Sequence, residues 1–182
     1  APKPTGVYQR GTLVTGRLDP FQAIDVTLPE ALRGTGRRTA SALPREVTPT
    51  GTCLSYTGVF QNSVHNSNLL GAALLARTAR HRDNPIYRAV AREAVRYTCT
   101  RQLPDGAWWY GEDPKYHWID NFHTAYNLDS LRRYIDGTND QDFRPQLELG
   151  YTYFKQTFFE ANGRPRYYHD RTYPVDIQCA SQ

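Results

Sequence analysis

The chain has 182 residues, of which 39% are apolar and 13% aromatic, so it is no disordered polar tract and is long enough for one domain with a core. Its formal charge is +4 and its pI about 9.0; Lys occurs only at 3, 115 and 155, so nearly all of the positive charge is Arg. The Arg residues are interspersed with Asp and Glu, so no basic run marks a nucleic-acid groove, and no apolar stretch of about 20 residues is present to span a membrane.

The same balance leaves room for a modest preference for acidic ligands such as uronates or sugar phosphates. The three Cys, at 53, 99 and 179, include no CxxC pair. That argues against a disulfide framework or zinc knuckle and for a reducing, cytoplasmic setting. No signal peptide is visible, and the absence of Met even at position 1 predicts a processed or incomplete copy of a longer protein.

Residues 1–50 are rich in Pro, Gly, Thr and Arg and read as an irregular arm, with one short helix near Leu28–Arg33. From residue 51 onward a domain of helical hairpins is expected, with no β-hairpin signal of comparable strength. Asn66 or Ser67 caps a first helix to about Arg80, with Leu69, Leu70, Ala73 and Leu74 at helical spacing. Asp83-Asn84-Pro85 starts a second, to about Gln102. Asp120 or Asn121 caps a third, to about Ile135, which Gly137 ends. Asn139–Phe143 opens a fourth with Pro145 in its first turn, and Val175 onward begins another. Residues 166–173 suit a short extended strand. Short turns thus alternate with long aromatic loops at a period of roughly 55 residues, the pattern of helical hairpins stacked around a ring.

Four polar and aromatic sets carry chemistry. In Asp105-Gly106-Ala107-Trp108-Trp109-Tyr110-Gly111-Glu112, the aromatic run is either a loop pinned by Trp packing or a platform on which sugar rings stack. Glu112 or Asp113 at its edge is then an acid/base candidate. In His117-Trp118-Ile119-Asp120-Asn121-Phe122-His123, Asp120 is a helix cap or a catalytic carboxylate, and His123 in the first turn is a candidate for exchanging a proton with a sugar, a role to which the histidine side chain is suited. The two His stand six residues apart across a helix boundary, which is no metal-ligand spacing, so neither metal nor cofactor is expected. Around Tyr56 and the run His65-Asn66-Ser67-Asn68, the candidate ligand contacts are Tyr56, His65 and Asn68. The last set, Tyr167-Tyr168-His169-Asp170 and Tyr173-Pro174-Val175-Asp176, again puts an Asp at a helix start. If the inner helices of a ring run parallel, Asp120 and Asp176 converge with His123 as a catalytic set. Trp108, Trp109, Tyr110, His117 and Tyr173 then join the substrate contacts.

These motifs resemble a bacterial and archaeal family of polysaccharide (exopolysaccharide) biosynthesis proteins. The resemblance rests on Ser55-Tyr56, His65-Asn66-Ser67-Asn68-Leu69-Leu70-Gly71-Ala72, Trp109-Tyr110, Trp118-Ile119-Asp120-Asn121-Phe122-His123-Thr124 and Tyr173-Pro174-Val175-Asp176-Ile177. It covers about 50–182 and implies an all-α fold, an (α/α) toroid of the terpenoid-cyclase-like superfamily, incomplete in this chain. The family usually shows Asp-Ile-His where this chain has Asp176-Ile177-Gln178. The resemblance implies a poly- or oligosaccharide ligand and pathway proteins as partners. The expected function is binding or processing of a glycan in an aromatic-lined cleft, the processing being of lyase, hydrolase or epimerase type. The alternatives are a non-catalytic glycan-binding or assembly protein and, lower, a terpenoid cyclase or prenyltransferase. Gln102 to Trp108 is reminiscent of that last class, but the chain has no Asp-x-Asp-Asp motif.

Overall fold

The computed structural model describes residues 43–59, 61–81 and 83–181. The helix expected near Leu28–Arg33 and most of the arm expected over 1–50 lie outside the described residues. The described part opens with an antiparallel hairpin that runs across residues 50 and 51: β1 (Arg45–Thr48) pairs with β2 (Gly51–Leu54). This hairpin corrects the expectation of irregular chain up to residue 50. Its strands have only four residues each, and its turn is Pro49-Thr50 rather than a Gly-containing signal, so the sequence pattern is silent. What fixes it is tertiary. Gly51 (φ +134°) lies so close to the helix Pro85–Cys99 that a Cβ there would stand 2.5 Å from Glu93 O and Tyr97 N.

Four helices follow: α1 (His65–His81), α2 (Pro85–Cys99), α3 (Asn121–Thr138) and α4 (Arg144–Thr157). The described residues are therefore mostly helical, with one small sheet among them. Local chemistry sets most of the helix ends. Asn84 caps α2 by accepting from Ile86 N at 3.0 Å, with Pro85 at the first helical position. Asp120 caps α3 by accepting from His123 N at 2.8 Å. Pro145 lies in the first turn of α4.

Three ends differ from expectation. α1 already includes Asn66 and Ser67, and Ser67 Oγ donates back to Val64 O at 3.0 Å instead of capping. α2 stops at Cys99, short of Gln102. α3 runs past Gly137 to Thr138, and Asn139 (φ 59°), not the glycine, supplies the left-handed residue that ends it.

α1 and α2 are antiparallel: near the start of α1, Asn68 Nδ2 donates to Ala94 O (2.7 Å) and Thr98 Oγ1 (3.0 Å) near the end of α2. α1 and α3 run parallel. Tyr110 links their starts, accepting from His65 N (3.1 Å) and donating to Trp118 O (2.9 Å), while near their far ends Gly137 faces Ala76. The N-terminal ends of α1 and α3 therefore share one end of the bundle.

Leu54, Leu69, Leu75, Val95, Leu131 and Ile135 form the core between β2, α1, α2 and α3. A second core gathers Trp108, Ile119, Leu128, Phe154 and Phe158 between the aromatic loop, α3 and α4. Trp108 is its keystone: its ring is buried and its Nε1 donates to Thr98 O at 2.9 Å. Trp108→Ala is expected to lower stability by about 3–5 kcal/mol, as large aromatic truncations do, read from chemical denaturation. An unchanged unfolding midpoint would contradict that packing.

The connections repeat. An isolated antiparallel bridge joins Val64, just before α1, to Gly111 in the loop leading to α3. A second joins Asp120, just before α3, to Tyr168 in the loop leading to the short 3-10 turn Ile177–Ala180. The three helical starts, at 65, 121 and 177, recur every 56 residues. The extended strand expected over 166–173 is realised only as this bridge, and the helix expected from Val175 as that one turn, capped by Asp176. Among the described residues no helix is long and apolar enough to cross a membrane. Cys53, Cys99 and Cys179 are free thiols, all buried; burial pushes the first two up to about 12.

Candidate functional site

Asp120 stands where α3 begins, and its cap role positions everything around it. One carboxylate oxygen, Oδ1, accepts the backbone N–H of His123. The other, Oδ2, accepts from His123 Nδ1 at 2.6 Å and from the Trp118 indole Nε1 at 3.0 Å. Cap and N3 residues face each other in the first turn, so the Asp120-x-x-His123 spacing delivers the imidazole to the capping carboxylate. Asp120 is 2% exposed, whereas the His123 side chain keeps 30% of its surface. With Nδ1 held, no described residue bonds Nε2. An imidazole oriented by a buried carboxylate and open at its other nitrogen is equipped to move a proton.

An aromatic wall stands beside it. Tyr110 stacks on Trp118 (centroids 4.6 Å, 13°) and meets His123 edge-on at 4.4 Å. Tyr116 meets both Tyr110 and Trp118 edge-on. Burial raises the Tyr110 hydroxyl above its ordinary range, and the neighbouring Tyr56, Tyr116 and Asp120 add to it. Tyr56 is itself well exposed.

On the other side of Asp120, Tyr167 O accepts from Asn121 N at 2.8 Å. The Tyr167 hydroxyl is raised by burial and by Asp120 and Asp176 among its neighbours. The Cys179 thiol, pushed up to about 11 by burial first, feels the same two carboxylates. Asp120 and Asp176 thus bear on the same two groups. Asp176 is half-buried and caps the short turn by accepting from Gln178 N at 2.9 Å.

The fold brings Tyr56, Tyr110, Asp120, His123 and Asp176 to this neighbourhood and places Trp108, His65 and Asn68 in the interior. Trp108 is buried in the second core and is no platform for a sugar. Trp109 lies half-buried with His117 stacked on it at 5.0 Å. Tyr173 is exposed. His65 and Asn68 are interior: Asn68 is spent on the α1–α2 contact and on Leu54 N.

His65 has Thr98 Oγ1 at 3.2 Å on one nitrogen and Glu112 Oε1 at 2.8 Å on the other. This hydroxyl–imidazole–carboxylate chain has the parts of a nucleophilic triad, but Thr98 is fully buried and His65 1% exposed, so it clamps the aromatic loop to the helices. Glu112 also pairs with Arg101 at 3.1 Å, and Asp113 caps a short turn and pairs with Lys115. Neither is the free acid expected at the edge of the aromatic run. Trp118 is not among the contacts expected from the sequence, because its indole bond to Asp120 depends on the path of the loop.

The His65 hydrogen bond, foremost, holds the Glu112 carboxyl below its ordinary range. A carboxyl depressed in the folded state adds stability above its unfolded pKa and loses it as pH falls through the folded value. The stability difference between wild type and Glu112→Gln is therefore expected to be present at neutral pH and to shrink below about pH 4. Denaturation midpoints across that range check it; a difference that grows with acid would contradict the clamp.

Comparison of the chain with models of protein families, with curated proteins and with solved structures gives no match.

Proposed function

We propose that the chain processes a glycan in polysaccharide biosynthesis, with His123 exchanging a proton with the sugar and Asp120 holding it in place. The observation that carries this reading is the 2.6 Å bond between His123 Nδ1 and the buried Asp120 carboxylate, beside an imidazole that remains partly exposed. Asp120 is the positioning residue and His123 the group that meets substrate, at a hydroxyl or a ring carbon. A two-carboxylate hydrolase is the weaker variant, because Asp120 is enclosed and already accepts three hydrogen bonds. Tyr56 and Tyr110 supply half-wet aromatic surface suited to sugar contacts.

The architecture we propose is an (α/α) toroid of the exopolysaccharide-biosynthesis kind. The parallel course of α1 and α3, the antiparallel α1–α2 pair and the 56-residue recurrence of helical starts support it. In that reading the exposed Tyr173, Val175 and Ile177 form the surface for a further hairpin. Three free thiols fit a cytoplasmic setting. Other proteins of the pathway are its proposed partners.

A non-catalytic glycan-binding role is the second reading, favoured by the use of Asp176 as a cap and by the burial of Asp120. Product analysis after incubation with a panel of oligosaccharides separates the two. Turnover that Asp120→Asn removes while glycan binding persists supports catalysis. Glycans bound and returned unchanged by the wild type leave the binding role.

A further inference from the structure

Trp118 closes a circuit of contacts around the Asp120–His123 pair. Its indole Nε1 donates at 3.0 Å to Asp120 Oδ2, the same oxygen that accepts His123 Nδ1 at 2.6 Å. Its ring stacks on Tyr110 at 4.6 Å, and Tyr110 in turn meets the His123 ring at 4.4 Å. The indole is held in place independently of the pair. Trp118 O accepts from Tyr110 N at 2.9 Å, Trp118 N donates to Tyr116 O at 2.9 Å, and the Tyr116 ring stands edge-on to the indole. The loop therefore presents a fixed N–H donor to a buried carboxylate.

Two donors on one oxygen divide its charge. An indole N–H on Oδ2 weakens the hold of that oxygen on His123 Nδ1–H, and so disfavours the imidazolium that Asp120 otherwise stabilises. Asp120 is enclosed, so bulk water does little to dilute the effect. Tyr110 faces the imidazole from the loop before α3, with Tyr56 and Tyr116 near it. On the other side of Asp120 are Tyr167 and Cys179, which also feel Asp176, and His169, whose Nδ1 is 3.1 Å from Ile119 O. The Tyr110 and Tyr167 hydroxyls and the Cys179 thiol are all raised, by burial foremost, so they stay neutral where an imidazole titrates. Asp120 is the one charge hydrogen-bonded to His123 among the described residues.

We propose that Trp118 is a second positioning residue of the Asp120–His123 site, whose indole N–H tempers the carboxylate so that a proton taken up by His123 is released again within the reaction cycle. The inference rests on the catalytic reading of that pair. Trp118→Phe keeps a ring against Tyr110 and removes the N–H. By NMR of protein carrying isotope-labelled histidine, the Nδ1 proton of His123 is expected downfield of its wild-type position, because Asp120 Oδ2 then serves His123 alone. On a glycan that the wild type converts, kcat is expected to fall about tenfold with KM little changed. The acid limb of the kcat/KM profile should move up by about half a pH unit to one unit, since more alkaline solution is needed to free Nε2 once the cation is stabilised. A Trp118→Phe protein that melts with the wild type and leaves that proton where it was would overturn the inference, reducing Trp118 to packing and leaving the catalytic reading untouched. A moved proton in a protein that converts no glycan would instead overturn the catalytic reading, and with it the cycle assigned to Trp118. Should Phe loosen the loop, benzothienylalanine at that position keeps both rings, lacks the N–H and is read by the same outcomes.

Discussion

Asp120→Asn is expected to lower turnover by about a hundredfold or more, the scale of losing an oriented general base. The argument is one of hydrogens. Asn caps a helix as well as Asp does, so its Oδ1 keeps the backbone N–H of His123. The amide NH2 then occupies the place of Oδ2, which accepts two N–H donors, from His123 Nδ1 and from the Trp118 indole. A donor facing two donors satisfies neither. His123 can restore its bond only by placing its proton on Nε2, so the nitrogen open to substrate ceases to be a base. Trp118 is left with an unmade bond, for which a loss of about 1–3 kcal/mol in stability is expected. The check is the kcat of the purified variant on whatever glycan the wild type converts, with a thermal melt alongside. Unchanged kcat would reduce Asp120 to a helix cap and remove His123 from the chemistry.

Gly51→Ala is expected to cost about 3 kcal/mol or more of stability, a large loss for one added methyl. Two effects combine. The backbone at Gly51 has φ +134°, which side-chain-bearing residues rarely adopt, and the new Cβ would sit 2.5 Å from Glu93 O and Tyr97 N. Those are backbone atoms of α2, so no side chain can rotate aside. Gly150→Ala is a useful contrast: its Cβ would meet Trp108 and Leu128 side chains at 2.7–2.9 Å, where some adjustment is available. A denaturation midpoint for Gly51→Ala equal to that of wild type would mean that β2 does not lie on α2 as described.

The starts of α2 and α3 are legible in the sequence because they are local chemistry. Asn84 before Pro85 and Asp120 before a helical run each bond within three residues. The β1–β2 hairpin is not legible, because its glycine answers to the backbone of α2, more than 40 residues away. The Trp108-Trp109 pair shows the same divide. Neighbouring residues in extended chain point to opposite sides, so one indole enters the core and the other stacks on His117; the residue types alone do not say which. His65 and Asn68 looked like ligand contacts because polar residues at a helix start usually meet solvent. Here they turn toward Thr98 on the neighbouring helix, and burial converts them into fastenings. The Asp120–His123 pair is the part of the site that could be read directly, since an N-cap and its N3 residue are always neighbours.

The two bridges, Val64 to Gly111 and Asp120 to Tyr168, tie each helical start to the loop that delivers the next one. The starts at 65 and 121 are thereby each clamped by chain that lies later in the sequence. The turn at 177–180, which buries Cys179 alone, carries Asp176 as its cap. A ligand that engaged Asp176, as in the two-carboxylate variant of the proposed function, would therefore also order this turn, so that occupation of the site would stabilise it by mass action.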